Sequence, residues 1–264
     1  MDLLRSTRGV LSGSAALLMV TNLSFAPGDL DFYMPASQEQ TSLAMAGKRL
    51  GFTLRRSSAR TYENNMDIKR VHELVKGQKK MNIIVTKGEN AVAAIFQFHT
   101  TVVMNMLTAA GLYCAYPDLT LKSWGVANLT VLLKDSSSSR RTRACYEKYR
   151  DRGVRIEKRV NNFPGLEHHE CYVGAECPMT VRSTSDGKGL YAELFPPTVH
   201  ERERREIDKY TTIWMLGGPM CSQGNTYCNG FTKSIPACTI TVSMIPHYPD
   251  IGLAYLSKRR NRCS

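Results

Sequence analysis

Gly28-Asp29-Leu30-Asp31-Phe32-Tyr33, preceded by Leu11-Ser12-Gly13-Ser14-Ala15-Ala16-Leu17, is the stretch on which the reading of this chain turns. In Asp29-Leu30-Asp31 the acids stand at i and i+2. A strand sends alternate side chains to one face, so both carboxylates point the same way. Two anionic oxygen ligands in that relation suit Mg²⁺. Upstream, Arg8-Gly9-Val10-Leu11 reads as an extended segment that breaks into a turn at Ser12-Gly13-Ser14. Ala15 to Val20 follows as a helix former with Ser14 at the cap position. A helix entered through Gly and Ser presents unpaired backbone N–H groups to an anion, and glycine lets a phosphate approach closely. Extended segment, Gly-Ser turn, helix and Asp-x-Asp strand together predict a nucleoside triphosphate site.

These residues resemble the signature of the DNA polymerase β-type nucleotidyltransferase superfamily. With Met81-Asn82-Ile83-Ile84-Val85 and Phe96-Gln97-Phe98-His99-Thr100-Thr101 added, the pattern resembles uncharacterised nucleotidyltransferase-like proteins of fungi, over less than half of the chain. The resemblance implies an α+β fold, a mixed sheet flanked by helices, with residues 1–120 as the nucleotidyltransferase-like core and 121–264 as an appended basic α+β region. It implies that Gly13 and Ser14 hold the triphosphate. Asp29 and Asp31 would hold Mg²⁺, with Mn²⁺ as a substitute, for transfer of a nucleotidyl group to an unknown acceptor.

Active members of that superfamily carry a third carboxylate on a later strand. Here the pattern departs. If the position falls between the aromatics of Phe96-Gln97-Phe98, it is a neutral amide; if it falls at Asn82, it is neutral too. An amide neither offsets divalent charge nor serves as a base near neutral pH. Glu89 and His99 are the nearby substitutes, although a lone histidine in an apolar run reads as a core residue. A nucleotidyltransferase-like module that binds a nucleotide or nucleic acid without catalysis is therefore the companion expectation.

The first residues also admit a secretory reading, which would make this a secreted cysteine-rich protein. Arg5 and Arg8 form a basic start, Val10 to Val20 is weakly apolar, and Ser24-Phe25-Ala26 resembles a cleavage site. The run is broken by Ser12, Gly13 and Ser14, and cleavage after Ala26 would part the Gly-Ser turn from the Asp pair, so an intracellular setting is favoured. No stretch offers the roughly 20 apolar residues of a membrane span. The nearest, Ala91 to Ala115, contains Gln97, His99 and Asn105.

Across 264 residues, 42% of them hydrophobic, Lys and Arg outnumber Asp and Glu by 35 to 23. The resulting +12 favours a polyanionic partner. Basic residues crowd from Arg140 to Arg159 and again from Lys258 to Arg262. A helix from about Ser138 to Arg152, with Cys145 and Tyr149 on one face, Gly153 as its stop and Val154-Arg155-Ile156 as a following strand, could neutralise phosphates of a nucleic acid.

Met81 to Val85 reads as a buried strand closed by Lys87-Gly88-Glu89-Asn90. From Ala91, either one helix runs to about Tyr113, or a short helix to Ile95 precedes a strand at Phe96 to Thr100 and a further helix. The resemblance favours the second, which puts Gln97 and His99 on one strand face. Thr180 to Thr184 and Leu190 to Phe195 flank Ser185-Asp186-Gly187-Lys188-Gly189 as a hairpin. A surface helix at His200 to Tyr210, irregular loops at Gly217-Gly218-Pro219 and Gly224 to Gly230, and a strand at Thr239 to Ile245 complete the expectation.

The eight cysteines read chiefly as small apolar residues. His168-His169-Glu170-Cys171 with Cys177, completed by Cys221 or Cys228, offers the ligand types zinc prefers, at a spacing unlike the usual paired-cysteine knuckles.

Overall fold

In the computed structural model, residues 1–59, 67–130, 139–194, 210–219, 221 and 227–236 are described. The expectations at Ser138, Phe195, Gly224 to Thr226, Thr239 to Ile245 and Lys258 to Arg262, the helix before Tyr210, Cys238 and Cys263 lie outside them. The fold is mixed α+β, a large mixed sheet with few helices. The helices that lie wholly within the described residues are α1 (Asp2–Thr7), α2 (Gly13–Val20), α3 (Glu39–Lys48), α4 (Pro117–Thr120) and α5 (Ser139–Asp151). No helix among the described residues is long and apolar enough to cross a membrane.

The first strands are β1 (Val10–Ser12), β2 (Leu30–Met34), β3 (Thr53–Ser58), β4 (Ile68–Lys76) and β5 (Lys79–Thr86). Next come β6 (Asn105–Leu107), β7 (Gly111–Cys114), β8 (Trp124–Val126), β9 (Arg155–Glu157), β10 (Arg182–Ser183) and β11 (Leu190–Glu193). Eight of these form one sheet in the order β11-β7-β6-β1-β2-β5-β4-β3. Every pairing in it is antiparallel except β2 with β5. β1, the first three residues of the weakly apolar run Val10 to Val20, lies between β6 and β2 in the interior of the sheet.

The expected strand at Met81 to Val85 is β5, whose last four residues are buried. Both of its faces are covered, as suits a strand beside a parallel partner. Met81, Ile83 and Val85 join Met34 and Leu74 on one face, while Ile84 joins Val10 and Tyr33 on the other.

After Ala91 neither expected arrangement forms. Short 3₁₀ turns at Ile95–Gln97 and Thr101–Val103 lead into the β6–β7 hairpin, and Phe96 to Thr100 is not a strand. Side chains take the hydrogen bonds that a helix would need. Asn105 Nδ2 donates to the Val102 carbonyl at 2.7 Å, Thr101 Oγ1 accepts from the Val126 amide, and Thr108 Oγ1 accepts from the amides of Ala110 and Gly111. Polar side chains of this kind compete with helical backbone.

α5 covers the expected helix almost residue for residue. Gly153, at φ 86°, ends it, and β9 follows, paired parallel with β8. Its buried face is Tyr146 and Tyr149, with Cys145 only partly covered.

The expected hairpin around Asp186-Gly187 is not one: β10 pairs with β12 (Tyr210–Pro219), while β11 extends the main sheet beside β7. The cause is Arg182. Its guanidinium is fully buried, donates to Asp186 Oδ2 at 2.6 Å and to the carbonyls of Ala175 and Ala115, and lies over the rings of Tyr116 and Trp214. Asp186 also accepts from the amides of Ser183 and Lys188, so it closes a local turn around the arginine. Trp214 stacks on Phe96 at 3.8 Å and donates to Tyr116 Oη, which binds β12 into the main core.

Of the glycines expected in loops, Gly217, Gly218 and Gly230 sit inside the ladder of β12 with β13 (Tyr227–Pro236), and Gly224 lies outside the described residues. Gly217 and Gly218 have φ of 72° and 117°, and Gly217 has Gly230 N and Cys228 O against it, leaving no room for a side chain. A strand glycine can mark such a close approach as well as a loop.

Removing Asp186 leaves a buried, uncompensated arginine charge, which costs roughly 3–5 kcal/mol. Asp186→Ala is expected to lower the urea midpoint accordingly. The pair Arg182→Met with Asp186→Ala should recover most of that loss. A loss below about 1 kcal/mol for Asp186→Ala would contradict the role given to this ion pair.

Candidate functional site

The end of β1, the start of β2 and the start of β5 meet in one row: Ser12 pairs with Asp31, and Asp31 pairs with Asn82. β1 turns into α2 at Gly13, whose φ of 70° is a left-handed conformation that a side chain would strain. A Cβ there would also lie 2.7 Å from Asp31 Oδ2. Glycine is therefore required twice, by the backbone and by the carboxylate packed against it. Ser12 takes the cap position of α2 and Ser14 lies inside the helix, a shift of two residues from the sequence expectation. The Ser12 hydroxyl is buried and donates to the Asn105 carbonyl at 2.5 Å, tying the turn to β6.

Asp29 and Asp31 converge as their i and i+2 spacing requires. Asn82 Nδ2 donates to Asp29 Oδ2 at 2.9 Å and to Asp31 Oδ1 at 2.8 Å. Burial, and then the neighbouring Asp29 carboxylate, push the Asp31 carboxyl up to about 6, against the pull of the Asn82 amide and the Lys148 ammonium. Two half-buried carboxylates sharing one neutral donor are short of positive charge.

Of the two positions considered for the third member, the structure puts Asn82 beside the pair. Gln97 belongs to a 3₁₀ turn and donates through Nε2 to Asp67. Glu89 accepts from the Ser37 hydroxyl and amide and pairs with Arg8 at 3.5 Å. His99 packs its ring against Tyr146 and Tyr149, and burial followed by Lys148 pushes it down to about 4, so it is neutral at physiological pH. Its Nε2 is buried with no partner among the described residues.

One contributor escaped the sequence reading. Lys148, seen there only as part of a basic segment, lies on α5 where its charge acts on both Asp31 and His99. Tyr149, beside it on the helix, is pushed up by burial and by both aspartates. The helical repeat identified the basic helix, but only the packing of Tyr146 and Tyr149 on Val102 and Val103 brings that helix to the carboxylates.

A second group of side chains also meets. The ligand-type atoms of His169, Cys171, Cys177 and Cys221 all lie within 4.8 Å of one another. His168 is exposed and is not among them, and of the two cysteines weighed as the fourth member the structure selects Cys221 over Cys228. Cys114, in contrast, is a buried core thiol pushed up to about 11 by burial, in keeping with an apolar role.

No protein-family model, curated protein or solved structure matches this chain. The functional reading therefore rests on the chain's own geometry.

A carboxyl raised in the folded state binds a proton that the unfolded chain releases, so stability falls as pH rises from 3.8 to about 6. After discounting for partial exposure, the cost at neutral pH is on the order of 1–2 kcal/mol. Asp31→Asn is expected to raise the melting temperature of the metal-free protein at neutral pH. The gain should shrink toward zero below the ordinary carboxylate range. Equal effects at both pH values would show that Asp31 is not held in this strained ionisation.

Proposed function

We propose that this chain is a nucleotidyltransferase-like module that binds a nucleoside triphosphate with Mg²⁺ through Gly13, Ser14, Asp29 and Asp31, and that Asn82 leaves it without the base for nucleotidyl transfer. The observation that carries this reading is the row formed by Ser12–Gly13, Asp31 and Asn82, which puts a glycine-opened helix N-terminus against two carboxylates and a neutral amide.

The residues fit a divalent cation. Asp29 and Asp31 supply two anionic oxygens of the hard type Mg²⁺ and Mn²⁺ take, while Asn82 turns its amide nitrogen toward them. The raised pKa of Asp31 reflects charge that a cation offsets. When bound, the cation would neutralise triphosphate charge and favour attack at phosphorus.

The chain's own groups then divide the work. The first amides of α2 would meet a phosphate at the helix N-terminus, where the helix dipole favours an anion, while the space beside Gly13 is taken by the Asp31 carboxylate that would hold the cation. Lys148 adds a positive charge beside the same carboxylates. Asn82 donates hydrogen bonds to the acids and cannot accept a proton from an attacking hydroxyl near neutral pH.

A nucleic acid is a second ligand class supported by a separate observation: Arg140, Arg143, Lys148 and Arg150 are exposed along α5, the helix that borders the carboxylates. Counterion release makes such binding fall steeply with salt.

Titration of the purified protein with fluorescent nucleoside triphosphates, with and without Mg²⁺ or Mn²⁺, is expected to show cation-dependent binding. Asp29→Asn with Asp31→Asn should weaken it at least about tenfold, equivalent to 1.4 kcal/mol. Unchanged affinity in that double variant would refute the site. Pyrophosphate release should be negligible for the native chain and appear in Asn82→Asp; brisk release by the native chain would instead make it an active transferase.

A further inference from the structure

We infer that His169, Cys171, Cys177 and Cys221 form a closed structural zinc site that fastens the irregular segment after β9 to the end of β12. Three separations carry the geometry. His169 Nε2 lies 3.3 Å from Cys221 Sγ and 3.5 Å from Cys171 Sγ, and Cys177 Sγ lies 3.7 Å from Cys221 Sγ. A tetrahedral Zn²⁺ with Zn–S of about 2.3 Å and Zn–N of about 2.0–2.1 Å has S···S edges of about 3.8 Å and S···N edges of about 3.5 Å. The observed edges match that figure. They are far longer than the ~2.05 Å of a disulfide, and Cys171, Cys177 and Cys221 are free thiols.

The surroundings call for a fastening of this kind. Between Pro164 and Met179 the chain forms only turns, with Tyr172 at φ 67° and exposed, and Val173 exposed beside it. Within this loop Cys177, Pro178 and Met179 are buried, too little apolar surface to hold it by packing alone. The backbone bends so that the two loop cysteines face inward: the amides of Val173 and Gly174 donate to Glu170 O, and that of Cys177 to Gly174 O. Gly217 N donates to Pro178 O at 3.0 Å, which brings the end of β12, and hence Cys221, to the loop.

Charge agrees with the assignment. Zn²⁺ with three thiolates and a neutral imidazole carries a net −1, and Lys158 and Arg159 line the cleft that Cys221 also lines. Four protein ligands complete the coordination shell and leave no open position for substrate, which makes the site structural. The donor set is soft, N and S, whereas Asp29 and Asp31 offer hard oxygens, so the two sites take different metals. This inference stands independently of the proposed nucleotide site.

The test is metal analysis of the full-length protein purified without chelator. One zinc per chain is expected. It should fall to near zero in Cys177→Ser and in His169→Ala, and stay at one in Cys145→Ser and in the Asp29→Asn, Asp31→Asn pair. Because the ligand variants can also misfold, metal-depleted native protein is to be titrated with Co²⁺ alone. The visible d–d bands of a tetrahedral site, with thiolate charge transfer in the near ultraviolet, should saturate at one equivalent. Zinc absent as purified together with no such bands would overturn the site, as would zinc retained in both ligand variants or stoichiometric iron in its place.

Discussion

Two strands that run the same way cannot be joined by a tight turn; the chain must leave the sheet and return. Between β2 and β5 it does so through α3, β3 and β4. The register of that parallel pairing, Asp31 opposite Asn82, determines what stands beside the carboxylates. With β5 shifted by one residue, Met81 or Ile83 would take that place and the alternation of β5 between the two cores would invert. The apolar side chains of β5 thus hold the register, and the polar row follows from it.

The same row explains why the turn after β1 is so constrained. Asp31 occupies the space a side chain at position 13 would need, and the left-handed backbone there is strained for anything but glycine. The unfavourable part of this arrangement is the burial of Asp31 beside a second carboxylate, Asp29, and the Asn82 amide and Lys148 offset it in part.

Buried polar contacts organise the second half in a comparable way. Arg182 reaches Asp186, Ala115 and Ala175, and lies against Tyr116 and Trp214, so one guanidinium joins β10, the turn after it and the segment following β7. Such an arrangement costs desolvation and returns a specific geometry. It is why a stretch with strong hairpin residues sends its two strands to different sheets.

Much of the candidate site was legible because its parts lie close along the chain. The i, i+2 acids, the Gly-Ser turn before a helix and the buried strand at Met81 to Val85 all express local periodicity. So does α5, stopped at Gly153. The segment after Ala91 misled, because its apolar run conceals Thr and Asn side chains that cap turns through contacts distant in sequence. The glycines of β12 and β13 misled because glycine serves a loop and a close strand contact equally well. By itself the sequence determined that two carboxylates share a face beside a glycine-opened helix, since neighbouring dihedrals dictate that much. Only the tertiary structure decided that Asn82 rather than Gln97 joins them, that Lys148 faces them, and that Cys221 meets His169, Cys171 and Cys177. Those choices depend on strand register and core packing across many intervening residues, which local spacing does not encode.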